Sequence, residues 1–281
     1  MNFVNIKSYA KINIALNVIG KHNHLHKIES IIVFAALHDD IFIKKIKSDD
    51  HIVSFKGKFS KNIGNDNTIF KLLKELDKRK LLKKEKFRIQ VYKRIPNKAG
   101  LGGGSMNAAN ILKYFVKKKI IKTNKREISL ISRSISSDMI LGLNSRNSIL
   151  TSKNVIKYFS NYKKFYMLIV KPNFGCSTKL IYSKVRKFCK PKFNVPSKKM
   201  FNLDFLKKMQ NSLEPIVLSS YPKLRSIKLY LDSLSEPIFV RMTGSGSALV
   251  AYFKSKESCD KVKKMFNKKY KNYWSMTSKT I

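Results

Sequence analysis

The run Pro96-Asn97-Lys98-Ala99-Gly100-Leu101-Gly102-Gly103-Gly104-Ser105-Met106-Asn107-Ala108-Ala109 carries the densest chemistry in the chain. Its glycines let successive backbone N–H groups turn into one concavity, and a helix opening at Ser105 adds its positive end. Such a concavity suits phosphate oxygens. A ligand-free strand-to-helix turn needs only one or two glycines, so the phosphate reading is preferred. The run is not a Walker A loop, because no Lys-Ser or Lys-Thr pair closes it. Nor is it a dinucleotide fingerprint, because Ser105 stands where the third glycine belongs. Phosphoryl transfer also needs a group to handle a hydroxyl proton and a cation to neutralise phosphate charge. Asp138, lying between apolar segments in a chain with 17 acids, is the candidate base. The plainer reading is a helix-terminal Asp bonding its own backbone. Lys11, between Ala10 and Ile12, is the candidate cation, able to stabilise negative charge on a transferring phosphoryl group.

Other residues carry weaker signals. His22, His24 and His26 alternate and could share one strand face, but no cysteine or close carboxylate completes a metal site. Tyr182 follows Cys176-Ser177-Thr178 in an amphipathic segment, where its ring suits a flat base or ordinary packing equally. Asn211 and Glu214 read equally as capping and domain packing. Cys176, Cys189 and Cys259 are an odd count without metal-ligand spacing, as expected of reduced thiols in a cytoplasmic protein.

The elements that must position these residues alternate between strand and helix patterns. Strand-like runs are expected at 3–8, 11–19, 28–37, 41–46 and 86–95. Ile69, Leu72, Leu73 and Leu76 repeat at helical spacing over 66–79, with Asp66 as N-cap. Helices are expected from Ser105 to about Lys118 and over 125–136. The second half offers a strand at Tyr166–Val170 and a helix capped by Ser177 running to about Phe188. A loose connection follows at 189–200, then helices at 201–209, 211–220 and 223–234. Strands at 238–242 and 248–253 flank Thr243-Gly244-Ser245-Gly246-Ser247, and a helix at 255–268 precedes a last strand. The expected class is α+β in two domains, 1–153 and 154–281.

Composition bounds the function. With 59 Lys+Arg against 17 Asp+Glu the net charge is +42, and 43% of residues are hydrophobic, as in a globular protein. No apolar run reaches the roughly 18 residues of a membrane span, and Met1 to Lys11 hold no signal-peptide core. On a globular surface of this mass, net charges stand about 17 Å apart, beyond the ~8 Å screening length. Lys, Ile and Asn are abundant throughout, so the charge is read as background composition that favours a polyanionic ligand. Nucleic acid is disfavoured as a partner, and an RNA-binding protein without catalysis is the rival class. RNA binding would weaken steeply with log salt, whereas turnover of a small molecule would respond modestly.

The glycine run resembles the ATP loop of the GHMP kinases, which reads Pro, three spacers, then Gly-Leu-Gly. Three glycines before Ser and Asn-Ala-Ala resemble the branch acting on diphosphocytidyl-methylerythritol. Ala10-Lys11-Ile12-Asn13-Ile14 is similar to the family's first motif, and Arg241-Met242-Thr243-Gly244-Ser245-Gly246-Ser247 to its third. The resemblance implies a GHMP-kinase-like fold with a cleft between domains, and ATP held with Mg²⁺. It implies phosphate contacts from Pro96, Gly100, Leu101, Gly102, Gly103, Gly104, Ser105, Asn107, Gly244, Ser245 and Gly246. Ser105 is a candidate contact to magnesium, with no protein cage. Lys11 and Asp138 are implied as catalytic, although Ser136-Ser137-Asp138-Met139-Ile140 departs from the family's Gly-Ala-Asp-Val-Pro. Asn13, His26, Thr178 and Tyr182 are implied as substrate-binding. Met106 replaces a usual Ser, and Leu25 replaces a tyrosine before the base-recognising histidine. The implied reaction is phosphorylation of the 2-hydroxyl of 4-diphosphocytidyl-2-C-methyl-D-erythritol in non-mevalonate isoprenoid biosynthesis. Phosphorylation of mevalonate, homoserine or a sugar is the nearest rival.

Overall fold

A computed structural model describes residues 2–23, 25–64, 66–160 and 164–281. His24 lies outside these. Two strands open the chain, β1 (Val4–His22) and β2 (Leu25–Ile46). The expectation for each is two shorter runs, 3–8 and 11–19, then 28–37 and 41–46, but both strands are continuous and carry the polar residues Ser8, Lys11, Asn13, Asn17, Asp39 and Asp40. All six are buried in extended backbone. Their polar atoms find partners inside the fold, so the strand continues through them: Asn13 Nδ2 donates to Ser30 Oγ, and Asn17 Nδ2 donates to Glu29 Oε1, both at 2.8 Å.

The chain forms two compact units that both draw on these strands. Unit 1 comprises 1–11, 37–97 and 102–145. In it β4 (Lys86–Tyr92) pairs antiparallel with residues 40–46 of β2 and parallel with β3 (Ile52–Lys56). Helices α1 (Thr68–Lys78), α2 (Gly103–Lys117), α3 (Lys125–Ile135) and α4 (Met139–Gly142) complete it. Ile43, Ile89 and Val91 from the sheet meet Leu72 and Leu76 of α1 and Ile111 and Phe115 of α2 in one core. Burying one such side chain contributes about 1.5–3 kcal/mol. The cap of α1 is Asn67, whose side chain accepts from the N–H groups of Ile69 and Phe70. Asp66, the expected cap, pairs with Lys71 at 3.1 Å.

Unit 2 comprises 12–36, 98–101 and 146–281. It takes residues 12–36 from the amino-terminal half, so its make-up differs from a single cut at 153. Residues 30–32 of β2 pair with β5 (Ser148–Leu150), which pairs with β6 (Ile156–Tyr158). A second, antiparallel sheet contains β7 (Tyr166–Lys171), β8 (Phe239–Met242), β9 (Leu249–Phe253) and β10 (Trp274–Lys279), in the order β10-β7-β9-β8. Val217 of α7 (Glu214–Ser220), Ile227 of α8 (Pro222–Asp232) and Phe266 of α9 (Lys256–Lys269) share a core with Val170 and Leu249.

Two connections differ from expectation. Helix α5 spans only Thr178–Ser183, and the chain beyond it is drawn to β1, with Cys189 N donating to Val18 O at 2.8 Å. The stretch 189–200 is anchored: the backbone N–H groups of Lys192 and Phe193 both donate to the buried carboxylate of Glu29. A 3-10 turn at Lys198–Phe201 leads to α6 (Leu203–Lys207).

Candidate active site

Unit 1 gathers the first group of candidates. Lys11, on β1, is 4% exposed, and its Nζ stands 3.1 Å from Asp138 Oδ2. Asp138 precedes α4 with helical backbone angles, yet its side chain makes no capping bond. The carboxylate is thus directed to Lys11 and not to its own backbone, and its side chain is 33% exposed, open on one side. Gly102 caps α2 with φ +68°, in the left-handed region. A Cβ there would lie 2.7 Å from Lys11 Cγ, so the lysine stem rests on the bare glycine backbone. Gly103 and Gly104 form the first turn of α2, and Thr68 Oγ1 donates to Gly104 O at 2.7 Å. Ser105 Oγ stands 2.8 Å from Ser136 Oγ, and Ser136 Oγ accepts from Asp138 N at 3.3 Å. Met106 is fully buried, with its sulfur 3.0 Å from where a Cβ on Gly142 would sit. Position 106 is therefore a core position between α2 and α4.

A buried hub supports the start of α2. Asp39, fully buried on β2, accepts from Arg94 N and Ile95 N at 2.8 Å each. It also accepts from Asn107 Nδ2 at 3.0 Å and forms a short ion pair with Lys93. A buried carboxylate with four donors is compensated, whereas removing its charge would leave Lys93 unpaired. The hub fixes the amide of Asn107, because a carboxylate accepts only and must face the amide nitrogen. Asn107 Oδ1 is then buried with no partner among the described residues. Asn107 is also among the residues that line a cavity of about 240 Å³, together with Phe55, Thr68, Ile69, Lys93 and Gly104. That space holds about eight waters, or one flat base. Pro96 lies in the loop after β4 that leads to these residues.

Unit 2 holds the second group. Gly100 (φ +73°) and Gly244 (φ +56°) lie back to back. A Cβ on Gly100 would fall 2.1 Å from Thr243 O, so no other residue fits there. Thr243 Oγ1 donates to Gly100 O at 3.3 Å and accepts from Asn13 N at 2.9 Å. The carbonyls of Met242 and Gly244 are held by Asn211 Nδ2 at 2.9 and 2.8 Å. Glu214 accepts from Met242 N at 2.5 Å, and burial pushes its carboxyl above the usual range. Thr178 and Ser245 share a 2.8 Å hydroxyl pair. Leu101 is buried, while Ser247 Oγ donates to Phe174 O at 2.8 Å, beyond Gly246 in the turn. The His26 and Tyr182 rings stand 5.1 Å apart at 43°. Burial, then the Lys21 charge, lowers the His26 pKa below 6.5, so the imidazole is neutral at neutral pH. Leu25 beside it is 78% exposed and adds no ring.

The structure therefore brings Lys11, Asp138, Gly102 to Ser105 and Asn107 together in unit 1. It brings Asn13, Gly100, Gly244, Ser245 and Thr178, with the His26–Tyr182 pair, together in unit 2. Sequence reasoning missed Asp39, Lys93 and Ser136. Asp39 carries the same signal as Asp138, an acid inside an apolar stretch of an acid-poor chain. Ser136 carries none, since its partner is 31 residues away. Among the described residues no group of three or more His, Cys, Asp or Glu side chains could hold a metal.

The family described as GHMP kinases N terminal domain matches residues 67–146, and that described as GHMP kinases C terminal matches 198–272. The chain is 53% identical, over all of both chains, to the 4-diphosphocytidyl-2-C-methyl-D-erythritol kinase of Pelagibacter ubique (strain HTCC1062). It is 31% identical to the enzyme of that name from Clostridium tetani (strain Massachusetts / E88), covering 98% of this chain and 99% of the other. A crystal structure of 4-(cytidine 5'-diphospho)-2C-methyl-D-erythritol kinase has the same fold, with a TM-score of 0.79 at 20% identity over 99% of each chain.

Proposed function

The chain belongs to the GHMP kinases, and on that premise we propose that it transfers the γ-phosphoryl group of ATP to the 2-hydroxyl of 4-diphosphocytidyl-2-C-methyl-D-erythritol. The observation that carries the reading is the Lys11–Asp138 pair at 3.1 Å, with the lysine stem lying on Gly102 of the phosphate loop. The substrate's 2-hydroxyl oxygen bonds to the γ-phosphorus, and the bond from that phosphorus to the bridging oxygen of ADP breaks. Asp138 takes the hydroxyl proton, or orients it until it leaves. Lys11 holds the carboxylate in place and offsets charge gathering on the phosphoryl oxygens. The N–H groups of the first turn of α2, which have no partner within the helix, face the triphosphate.

The nucleoside end of ATP occupies the cavity beside Gly104, which Phe55, Thr68 and Asn107 also line. The neutral His26 and Tyr182 rings receive the cytosine base of the acceptor, which is flat and uncharged. Thr178 and Ser245 offer hydroxyls to that substrate and to phosphate. Mg²⁺ suits the donors present, because it takes one or two protein oxygens and leaves the rest to phosphate and water; the Ser105 hydroxyl is of that kind. Bound there, it would neutralise charge on the β- and γ-phosphates. Among the described residues no helix is long and apolar enough to cross a membrane, and we place the reaction in the cytoplasm. Full-length identity to enzymes of one substrate supports this acceptor over mevalonate, homoserine or a sugar, and the carboxylate–lysine pair supports catalysis over RNA binding.

The test is ATP consumption by the purified protein with 4-diphosphocytidyl-2-C-methyl-D-erythritol, mevalonate or homoserine. Turnover is expected with the first alone. Asp138→Asn should lower kcat by about 100-fold or more, with the KM for ATP within about threefold. Turnover with another acceptor, or an Asp138→Asn protein as fast as the native one, would sink the assignment.

A further inference from the structure

Ser136 closes α3 in extended backbone (φ −166°, ψ 140°), two residues before Asp138. Its hydroxyl lies between two groups of the candidate active site: Asp138 N, which donates to it at 3.3 Å, and Ser105 Oγ, 2.8 Å away. The family pattern around the aspartate has glycine at this position, which could make neither bond.

The direction of the hydroxyl pair follows from what each oxygen must do. Ser136 Oγ already receives the N–H of Asp138, and its own proton is left to donate. Ser105 stands in the first turn of α2, where a phosphate oxygen is an acceptor and needs Ser105 to donate outward. Only one arrangement satisfies both demands. Asp138 N–H donates to Ser136 Oγ, Ser136 O–H donates to Ser105 Oγ, and Ser105 O–H is aimed at the phosphate. Hydrogen bonds aligned in one sense polarise one another, so the last donor in such a row is stronger than an isolated hydroxyl. We propose that Ser136 is a positioning residue that orients the Ser105 proton towards the triphosphate and ties the phosphate loop to the backbone of the catalytic aspartate. The proposal rests on the phosphoryl-transfer reading above.

Calorimetric titration of the full chain with ATP and, separately, with adenosine tests it without any acceptor. Ser136→Ala should weaken ATP by about 3–10-fold, the range of one lost hydrogen bond, and leave adenosine within about 1.5-fold. Ser136→Thr keeps the hydroxyl and should bind ATP within about twofold of the native chain. Ser105→Ala combined with Ser136→Ala should bind no more weakly than Ser105→Ala alone, because the second hydroxyl acts through the first. Equal losses for ATP and adenosine, additive losses in the double variant, or no change in Ser136→Ala would each overturn the proposal. A native chain that binds ATP no better than adenosine would overturn both the phosphate loop and this role. Triphosphate-selective binding lost in Ser136→Ala, without turnover of the diphosphocytidyl acceptor, would support the proposal and overturn only the acceptor.

Discussion

Single atoms decide much of the site. Gly102 is required twice, by its positive φ and by the lysine stem that lies where a Cβ would be. Gly102→Ala should cost about 1–2 kcal/mol of stability for the left-handed backbone. It should also displace Lys11 from Asp138 and lower kcat about 10–100-fold, as a misplacement near 1 Å does. Gly20→Ala is the control, because nothing lies within 4 Å of a Cβ there; activity there should stay within about twofold. A Gly102→Ala protein with native kcat would show that the lysine stem needs no bare backbone. At this scale the sequence was readable where a residue type is rare or costly, as with Asp138 or four glycines in one loop. Ser136 and Thr68 were not readable, because hydroxyl residues are common and their partners are 31 and 36 residues away in the chain.

Elements were legible where periodicity was undisturbed, as in α1 and β4, and misread where buried polar groups mimicked turns. β2 continues through Asp39 because tertiary partners satisfy that side chain, information that no local window holds. His51 shows how such a partner network ties elements together. Its Nδ1 accepts from Phe87 N of β4 at 3.1 Å, its Nε2 meets Asp77 of α1 at 3.2 Å, and Lys86 Nζ donates to the same Asp77 at 2.8 Å. Burial lowers the His51 pKa most and Lys86 lowers it further, while Asp77 and Asp50 oppose them. The unfolded chain therefore binds this proton more readily than the folded one. The stabilisation is full above pH ~6.5, the unfolded value, and is lost as the pH falls below it. A proton on Nδ1 would also confront the Phe87 N–H. His51→Asn keeps an acceptor for that N–H without titrating. Its melting temperature should fall less than the native protein's between pH 7 and pH 5, and parallel curves for the two would refute the assignment.

At the scale of the whole molecule, the two family matches cover residues 67–146 and 198–272. The excess of 42 positive charges is not what identifies the function; the candidate site uses Lys11 and Lys93, each paired with one carboxylate. The compact units are built from interleaved stretches, and residues 12–36 belong with 146–281. That assignment has a consequence for the growing chain on the ribosome. Residues 12–36 are translated early and include the apolar run Ile31-Ile32-Val33-Phe34-Ala35, fully buried in the finished protein. Their partners in β5 and at Asn211 and Thr243 are made much later. β1 pairs with β2 and is available at once, but at ~5–20 residues per second this sticky segment lacks its later partners for on the order of ten seconds or more. Nascent chains halted before β7 should be cut by protease within 12–36, and the released full chain should resist. Equal resistance would mean that the segment finds shelter before its native neighbours exist. Order of synthesis thus sets order of burial here: the first strands made are among the last to be fully covered.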